Sequence, residues 1–376
     1  MVNQVADVRV TGLGEAVVDL AAVAGNVRAV AAAAGTDVMA VVKADGFGHG
    51  AVPVARAAVA AGATWLGVTS AAEALALRAA GLTVPVLSWL HRVDEDFAPL
   101  LAAGVDVGVS TVEHLDAVAA AARWAGAPAA VQLKADTGLT RNGARGPDWD
   151  ALVARARHHE TEGTVTVRGV WSHLADADRP GSEAVTDQIT SFEHAVRRAR
   201  AAGLDPALLH LANSAAALTV PRARFDLCRV GLALYGVEPA GAGTLRPAMT
   251  LRTAVVNVKR VPTGTTVSYG HAYVTSRPTT LALVPLGFAD GLPRAAEGRA
   301  HVGLAGHPRP VVGRIAMDQC VVDAGDLPVA LGDPVVVFGE GGPAVADWAR
   351  WAGTNPHEIL TGVGTRVIRR YPEGTA

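Results

Sequence analysis

The sequence predicts an α/β protein: a (β/α)8 barrel followed by a mainly antiparallel β domain. Two observations carry this. Between residue 36 and about 236, eight short apolar runs alternate with Ala-rich stretches of helical period. Continuous apolar strands alternating with helices imply a parallel sheet covered on both faces, and eight such units over about 200 residues fit a closed barrel better than an open doubly wound sheet. Beyond about residue 245 the helical period disappears, and short strand-like runs appear between Gly and Pro turns.

The runs read in order as VMAVVK (38–43), TWLGV (64–68), PVLSW (85–89), VDVGV (105–109), AAVQLK (129–134), VRGVWSH (167–173), ALLHLAN (207–213) and DLCRVG (226–231). Between them, AAEALALRAAG (71–81), VEHLDAVAAAARWAG (112–126) and DQITSFEHAVRRARAAG (187–203) repeat apolar residues at i, i+3 and i+4 and end in Gly, a helix stop. The later runs are TAVVNVKRV, TTLALVPLG, PVVGRIAMDQCVVDAG and DPVVVFGE. Residues 1–245 are therefore assigned to the barrel and 246–376 to the β domain. The segment 7–19 either pairs with the β domain or leads into the barrel.

Of 376 residues, 50% are hydrophobic and 18% charged, enough for a sizeable core and too apolar for disorder. A formal net charge of −2 argues against a nucleic-acid binder. No charge-free run reaches the roughly 18 residues of a membrane span, and the first residues lack the pattern of a signal peptide. Two cysteines, Cys228 and Cys320, form no disulfide framework. A cytoplasmic protein without membrane contact is expected.

Only three of the 33 basic residues are lysines: Lys43, Lys134 and Lys259. Where plain positive charge suffices this chain uses Arg, so a Lys marks a place for an amine that can lose its proton. Two of the three end apolar runs. In a barrel, active-site groups come from the C-terminal ends of strands. Those ends carry Lys43; Lys134 and Asp136, followed by Arg141; Ser172 and His173; His210, Asn213 and Ser214; and Arg229 running into Gly231. Ser214 reads as a helix N-cap before AAALTV, a role compatible with holding a phosphate. The set suits a ligand with a phosphate, for backbone N–H and hydroxyl donors, and a carbonyl-like carbon, for a lysine. GFGHG (46–50) lacks the spacing of a dinucleotide loop, and His158 and His159, in a polar helix tail, lack zinc-ligand partners.

AVVKADGFGHG (40–50), LKADTGLTRNG (133–143), WSHLADAD (171–178), LHLANSAA (209–216), FDLCRVGLALYG (225–236), SYGHAYV (268–274), PLGFADGLPR (285–294) and VGRIAMDQ (312–319) resemble, in order, the motifs of bacterial alanine racemase. The resemblance runs from about residue 14 to 371. It implies a barrel that binds pyridoxal 5'-phosphate, a following β domain, a head-to-tail homodimer with shared active sites, and supply of D-alanine for peptidoglycan. Lys43 then holds the cofactor covalently, Arg229 faces its ring nitrogen, His173 lies against it, and His210 stands behind Arg229. Asn213, Ser214 and the backbone N–H groups of Gly231 and Leu232 belong to the phosphate site, with His357 near it. Arg141 and the backbone of Met317 meet the substrate carboxylate. Lys134 matches a lysine that is carbamylated in some members. Arg294, Arg314 and Asp318 line or support the access channel.

Racemisation removes the Cα proton on one face and returns one on the other, so two bases are needed. The resemblance assigns Lys43 to one face and Tyr269, from the other subunit, to the opposite one. A phenol needs help to act as a base near neutrality, which His173 and Arg229 can supply. A guanidinium will not give up its proton, so a ring nitrogen facing Arg229 stays neutral and side reactions such as transamination are disfavoured.

Three positions depart from the family pattern, each losing a tyrosine: Phe47, Phe288 and His357. They read either as drift within a lineage or as a changed pocket. Other readings are a racemase of another or broader amino-acid range, a non-catalytic pyridoxal-phosphate-binding barrel, and a decarboxylase of the same barrel type. The β domain with its SYG motif counts against the last two.

Overall fold

The computed structural model describes residues 12–179, 181–238 and 244–372. The chain divides into two units, and the division is discontinuous, unlike a single cut after residue 245. One unit takes residues 22–46 and 51–246; the other takes 12–21, 47–50 and 247 onward.

The first unit is the eight-stranded parallel barrel. Its strands are Asp37–Val41, Trp65–Val68, Val86–Ser88, Val105–Val109, Ala129–Lys134, Val165–Trp171, Leu208–His210 and Leu227–Val230. Each pairs in parallel with its sequence neighbour, except the seventh with the eighth, and the eighth returns to pair with the first, Asp37 opposite Leu227. The seam between seventh and eighth is held by Asp226 N–H to Leu209 O and Arg229 N–H to Ala212 O, both 3.0 Å. Helices between strands start where their caps dictate. Ser70 and Glu73 form a capping box ahead of Ala71–Ala79. Thr111 accepts from His114 N–H ahead of Val112–Ala125, which ends on Gly126 at φ +69°. No helix among the described residues is long and apolar enough to cross a membrane.

The second unit holds a nine-stranded sheet. Across it run Asn257–Val261, Thr279–Val284, Cys320–Gly325, His307–Val312, His301–Leu304, Pro334–Phe338, Met249–Ala254, Glu15–Val18 and Ile368–Arg370. Pairing is antiparallel except between Glu15–Val18 and Ile368–Arg370. Of the segment 7–19, residues 7–11 lie outside the described residues; Glu15–Val18 is a strand of this sheet. Two helices, Val345–Ala352 and Pro356–Thr361, correct the expectation that helical structure ends near residue 245. The first does carry a helical pattern, burying Val345, Trp348 and Ala349 at i, i+3 and i+4, but over little more than two turns; the second is shorter still. The first is pinned by the buried Trp348, whose indole N–H donates to Val337 O at 2.7 Å.

Glu15 has no exposed surface, yet its carboxylate meets Arg252 at 2.5 Å and Arg370 at 2.6 Å. This ion triad joins the first strand to both of its sheet neighbours. Removing one member of a buried ion pair leaves the others uncompensated, so Glu15→Ala is expected to lower unfolding stability by about 3–5 kcal/mol. Urea denaturation of holoenzyme checks this; a loss under about 1 kcal/mol would contradict it.

Candidate active site

The polar groups named from the sequence gather at the C-terminal ends of the barrel strands. The first strand stops at Val41, so Lys43 is not its last residue, as the apolar run suggested. Lys43 instead opens a left-handed turn: Ala44, Asp45 and Gly46 have φ of +51°, +52° and +61°. Each non-Gly residue there costs about 1–2 kcal/mol, a strain that must be held in place. Glu73 does so. Its Oε1 accepts from Ala44 N–H at 2.7 Å while Oε2 accepts from Thr69 and Ser70. Burial, then the Arg141 charge, lowers the Lys43 pKa, and Glu73 opposes this. The following residues, 47–50, belong to the sheet unit. At Gly48 a Cβ would sit 2.5 Å from Leu360 O, which accounts for that glycine of GFGHG without any nucleotide.

Lys134 is buried, its Nζ 4.3 Å from the centre of the Trp171 ring. Burial, followed by the charges of Arg229 and Arg141, pulls its pKa down to about 7. Arg141 rides on the loop after this strand. That loop folds back through Ala144 N–H to Lys134 O at 2.9 Å, and Asp136 Oδ1 accepts from Gly138 and Thr140 N–H. A Cβ at Gly143 would stand 2.7 Å from Asp136 N, so only glycine lets the loop close.

Arg229 is the deepest cation. Its Nη1 donates to His210 Nδ1 at 3.1 Å and His210 O at 2.9 Å. Its Nη2 donates to Ser172 O at 2.6 Å and Leu211 O at 3.1 Å, with His173 Nδ1 at 3.3 Å. Among the described residues, Nε is left as its one donor for a ligand. Burial draws the Arg229 pKa down to about 9, which leaves it a cation at neutral pH. Burial, then Arg229, holds His173 and His210 well below the usual imidazole range, so both are neutral acceptors.

The N-cap assigned to Ser214 is corrected. Asn213 caps the helix Ser214–Thr219, its Oδ1 accepting from Ala216 N–H at 3.0 Å. The Ser214 hydroxyl, one residue later, points away from its own helix and accepts from Gly231 N–H at 3.0 Å and Ala233 N–H at 3.3 Å. Two backbone donors of one segment, on either side of Leu232, thus converge on the hydroxyl oxygen of another, the arrangement an anion needs.

The charges of Arg229, Arg141 and Lys43 all act on Lys134, and among the described residues none of the four forms an ion pair with a carboxylate. Two guanidiniums and two lysines beside converging N–H donors make a site for an anionic ligand. The remaining expected residues lie on the sheet unit. Tyr269 opens a short turn and is 68% exposed; the Arg314 guanidinium lies against Gly270, and Ser268 donates to Arg314 O. Met317 O accepts from Ala289 N–H, Arg294 starts a short 3-10 turn, and Asp318 pairs with Arg366 at 2.7 Å. His357 stacks at a tilt on Phe47, ring centres 5.6 Å apart. Sequence reasoning missed Glu73, Trp89 (its ring centre 6.0 Å from the Lys43 amine), Trp171, Asp106 and Gln132 as parts of the site's surroundings. For Asp106 and Gln132 a signal existed: each is a polar residue inside an otherwise apolar barrel strand, where it needs a buried partner. His159, read as part of a polar helix tail, is buried, with Nε2 2.7 Å from Asp116.

A parallel barrel with a cationic mouth, joined to an antiparallel sheet unit, defines a two-unit enzyme for small anionic ligands. The family model for the alanine racemase N-terminal domain matches residues 18–239, and that for the C-terminal domain matches 248–371. An alanine racemase of Frankia casuarinae is 53% identical over 366 residues, covering 95% of each chain. The crystal structure of alanine racemase from Streptomyces lavendulae superposes with a TM-score of 0.95 at 49% identity, covering 97% of this chain and 98% of that one. That of Bartonella henselae, determined with covalently bound pyridoxal phosphate, gives 0.88 at 28% identity, covering 96% and 99%. The chain belongs to the alanine racemase family, whose members are pyridoxal-phosphate-dependent enzymes.

Proposed function

We propose that the protein interconverts L- and D-alanine with pyridoxal phosphate, as a cytoplasmic homodimer in which each active site combines Lys43 with Tyr269 of the partner subunit, and that its product feeds peptidoglycan synthesis. The observation that carries this reading is the cluster of basic groups, none ion-paired to a carboxylate among the described residues, beside the N–H donors around Ser214. The cofactor brings a phosphate, a phenolic oxygen and a pyridine nitrogen, and the substrate brings a carboxylate; the donor set fits all four. Lys43 would hold the aldehyde carbon, Ser214 with the backbone of Gly231 and Leu232 the phosphate, Arg229 Nε–H the ring nitrogen, and Arg141 the phenolic oxygen and, with Met317, the substrate carboxylate. When bound, pyridoxal phosphate draws electrons from the substrate Cα and makes its hydrogen acidic.

The chain's own groups then do the proton work. Lys43, its pKa lowered by burial, is the base on one face. Its strained turn points the amine, and Glu73 holds that turn. Because His173 Nδ1 faces Arg229, its Nε2 carries the ring proton and is free to steady a phenolate at the second base. Arg229, a guanidinium that keeps its proton at neutral pH, would hydrogen-bond the ring nitrogen through Nε–H without protonating it. Offering a panel of L-amino acids to the yellow holoenzyme and assaying each for the D-form tests the function. Alanine should turn over fastest; another amino acid exceeding it would overturn the substrate assignment.

Lys134 is further proposed to be carbamylated, its amine nitrogen adding to CO2 and losing a proton. Only the neutral amine reacts, and a lysine titrating at about 7 is mostly neutral above that pH. With 13C-bicarbonate, a carbamate signal is expected at about pH 8 and fades as the pH falls through about 7. Absence of that signal at the higher pH contradicts the assignment.

The departures at Phe47 and His357 touch each other. Restoring tyrosine at each should tighten cofactor binding, by up to about tenfold per hydrogen bond to a charged group. Because the rings are in contact, the double variant should deviate from the product of the singles. Equilibrium dialysis of the cofactor checks both statements, and unchanged affinity in all three variants favours drift.

A further inference from the structure

Asp106, Gln132, His210 and Arg229 form a single polar line through the apolar interior of the barrel. Each is at most 5% exposed. Arg229 Nη1 meets His210 Nδ1 at 3.1 Å, His210 Nε2 meets Gln132 Oε1 at 2.7 Å, and Gln132 Nε2 meets Asp106 Oδ2 at 2.8 Å. Asp106 Oδ1 accepts from Arg168 Nη1 at 2.8 Å, and Arg168 reaches solvent with 41% of its side chain exposed. With Arg168 the line is supplied by five strands, and nothing in the proposed chemistry has yet required its inner half.

The donor roles admit one solution. A guanidinium only donates, so His210 Nδ1 must be the bare nitrogen and Nε2 the protonated one. That proton needs an acceptor, which sets the Gln132 amide with its oxygen toward His210 and its NH2 toward Asp106. Both carboxylate oxygens of Asp106 receive N–H groups, so it closes the line as an anion. Every link donates in the same direction, from the mouth inward. The opposite histidine tautomer would aim Nδ1–H at the guanidinium N–H, donor against donor.

We propose that Asp106 and Gln132 are positioning residues for Arg229: they lock His210 in its Nε2–H tautomer, and so hold the guanidinium with Nε–H facing the mouth. The catalytic consequence rests on the reading that Arg229 faces the cofactor's ring nitrogen; the tautomer does not.

A one-atom change tests this. In Asp106→Asn the amide offers one oxygen to two donors, Arg168 and Gln132. The charged donor wins it, the new NH2 turns to Gln132, the Gln132 amide inverts, and His210 is driven to Nδ1–H against Arg229. In Asp106→Asn/Arg168→Met the competitor is gone, the oxygen returns to Gln132, and the original tautomer is restored. The readouts are 15N NMR of the His210 ring in holoenzyme labelled at histidine, the cofactor absorbance band, and kcat against KM for alanine. The wild type should show Nε2 protonated and Nδ1 bare. The single variant should show the reverse, a shifted band, and kcat down roughly tenfold with KM within about twofold, the size seen when an orienting partner is lost. The double variant should recover the tautomer, the band and most of kcat. A wild-type His210 with Nδ1 protonated overturns the proposal without any variant, even if the single variant folds poorly. So does a single variant that keeps the wild-type tautomer. A reversed tautomer with kcat and band unchanged upholds the lock but overturns its catalytic role, and places the failure in the reading of Arg229.

Discussion

Lys43→Ala is expected to lower kcat by about 10⁴-fold or more, since the residue is proposed both to hold the cofactor and to act as a base, and general base catalysis alone contributes roughly 10²–10⁴. Its position follows from three physical facts. It stands just past the end of a buried barrel strand, on a left-handed turn clamped by Glu73. It is partly buried, which weakens its hold on a proton. It is one of three lysines in a chain that otherwise uses arginine. Lys43→Arg should fail equally, because a guanidinium stays protonated and cannot serve as a base. Mass spectrometry after borohydride reduction should find cofactor attached to the wild type and to neither variant. Either variant retaining more than about a tenth of wild-type kcat/KM would remove Lys43 from its proposed role.

Tyr269→Phe is the second large effect. The side chain is 68% exposed in the chain, so loss of its hydroxyl should change stability by less than about 0.5 kcal/mol, and any loss of turnover belongs to the chemistry. Two bases on opposite faces predict an asymmetric residue of activity. In D2O the variant should still exchange the α-hydrogen of one alanine enantiomer through Lys43, while exchange of the other and net racemisation fall by roughly 10³-fold. The shared site makes a sharper forecast. Lys43→Ala and Tyr269→Phe chains, each inactive alone, are unfolded together and reassembled. Half of the dimers should be mixed, and each of these has one of two sites intact, so activity should return to roughly a quarter of wild type for a symmetric dimer. No recovery, with mixed dimers demonstrated, would place both bases within one chain or discard one of them.

How far the sequence reaches is visible in particular elements. The eight barrel strands were legible because buried parallel strands are apolar without interruption, and the stretches between them carry helical spacing and Gly stops. The strand Glu15–Val18 was ambiguous, because local pattern does not say which sheet a short strand joins; its buried carboxylate, held by Arg252 and Arg370, does. The helices Val345–Ala352 and Pro356–Thr361 escaped because each spans about two turns or fewer, so that even the buried face of Val345, Trp348 and Ala349 is a single i, i+3, i+4 set among strand-like runs. Residue types at the strand ends pointed to an anionic ligand and to lysine chemistry before any geometry was known. The assignment of Ser214 as an N-cap failed because Asn213 competes for the same role, and only packing gives the serine hydroxyl the backbone of another segment.

By itself, then, the amino-acid order determined the barrel, the β domain and the family, since these rest on periodicity and on motifs that are local in the chain. Tertiary structure alone decided the direction of each proton-bearing contact: the left-handed turn at Lys43, the two donors on Ser214, and the line from Arg229 to Asp106. The physical reason is that a hydrogen bond depends on angles and distances between residues far apart in sequence, 78 positions between Gln132 and His210, and no local pattern encodes them.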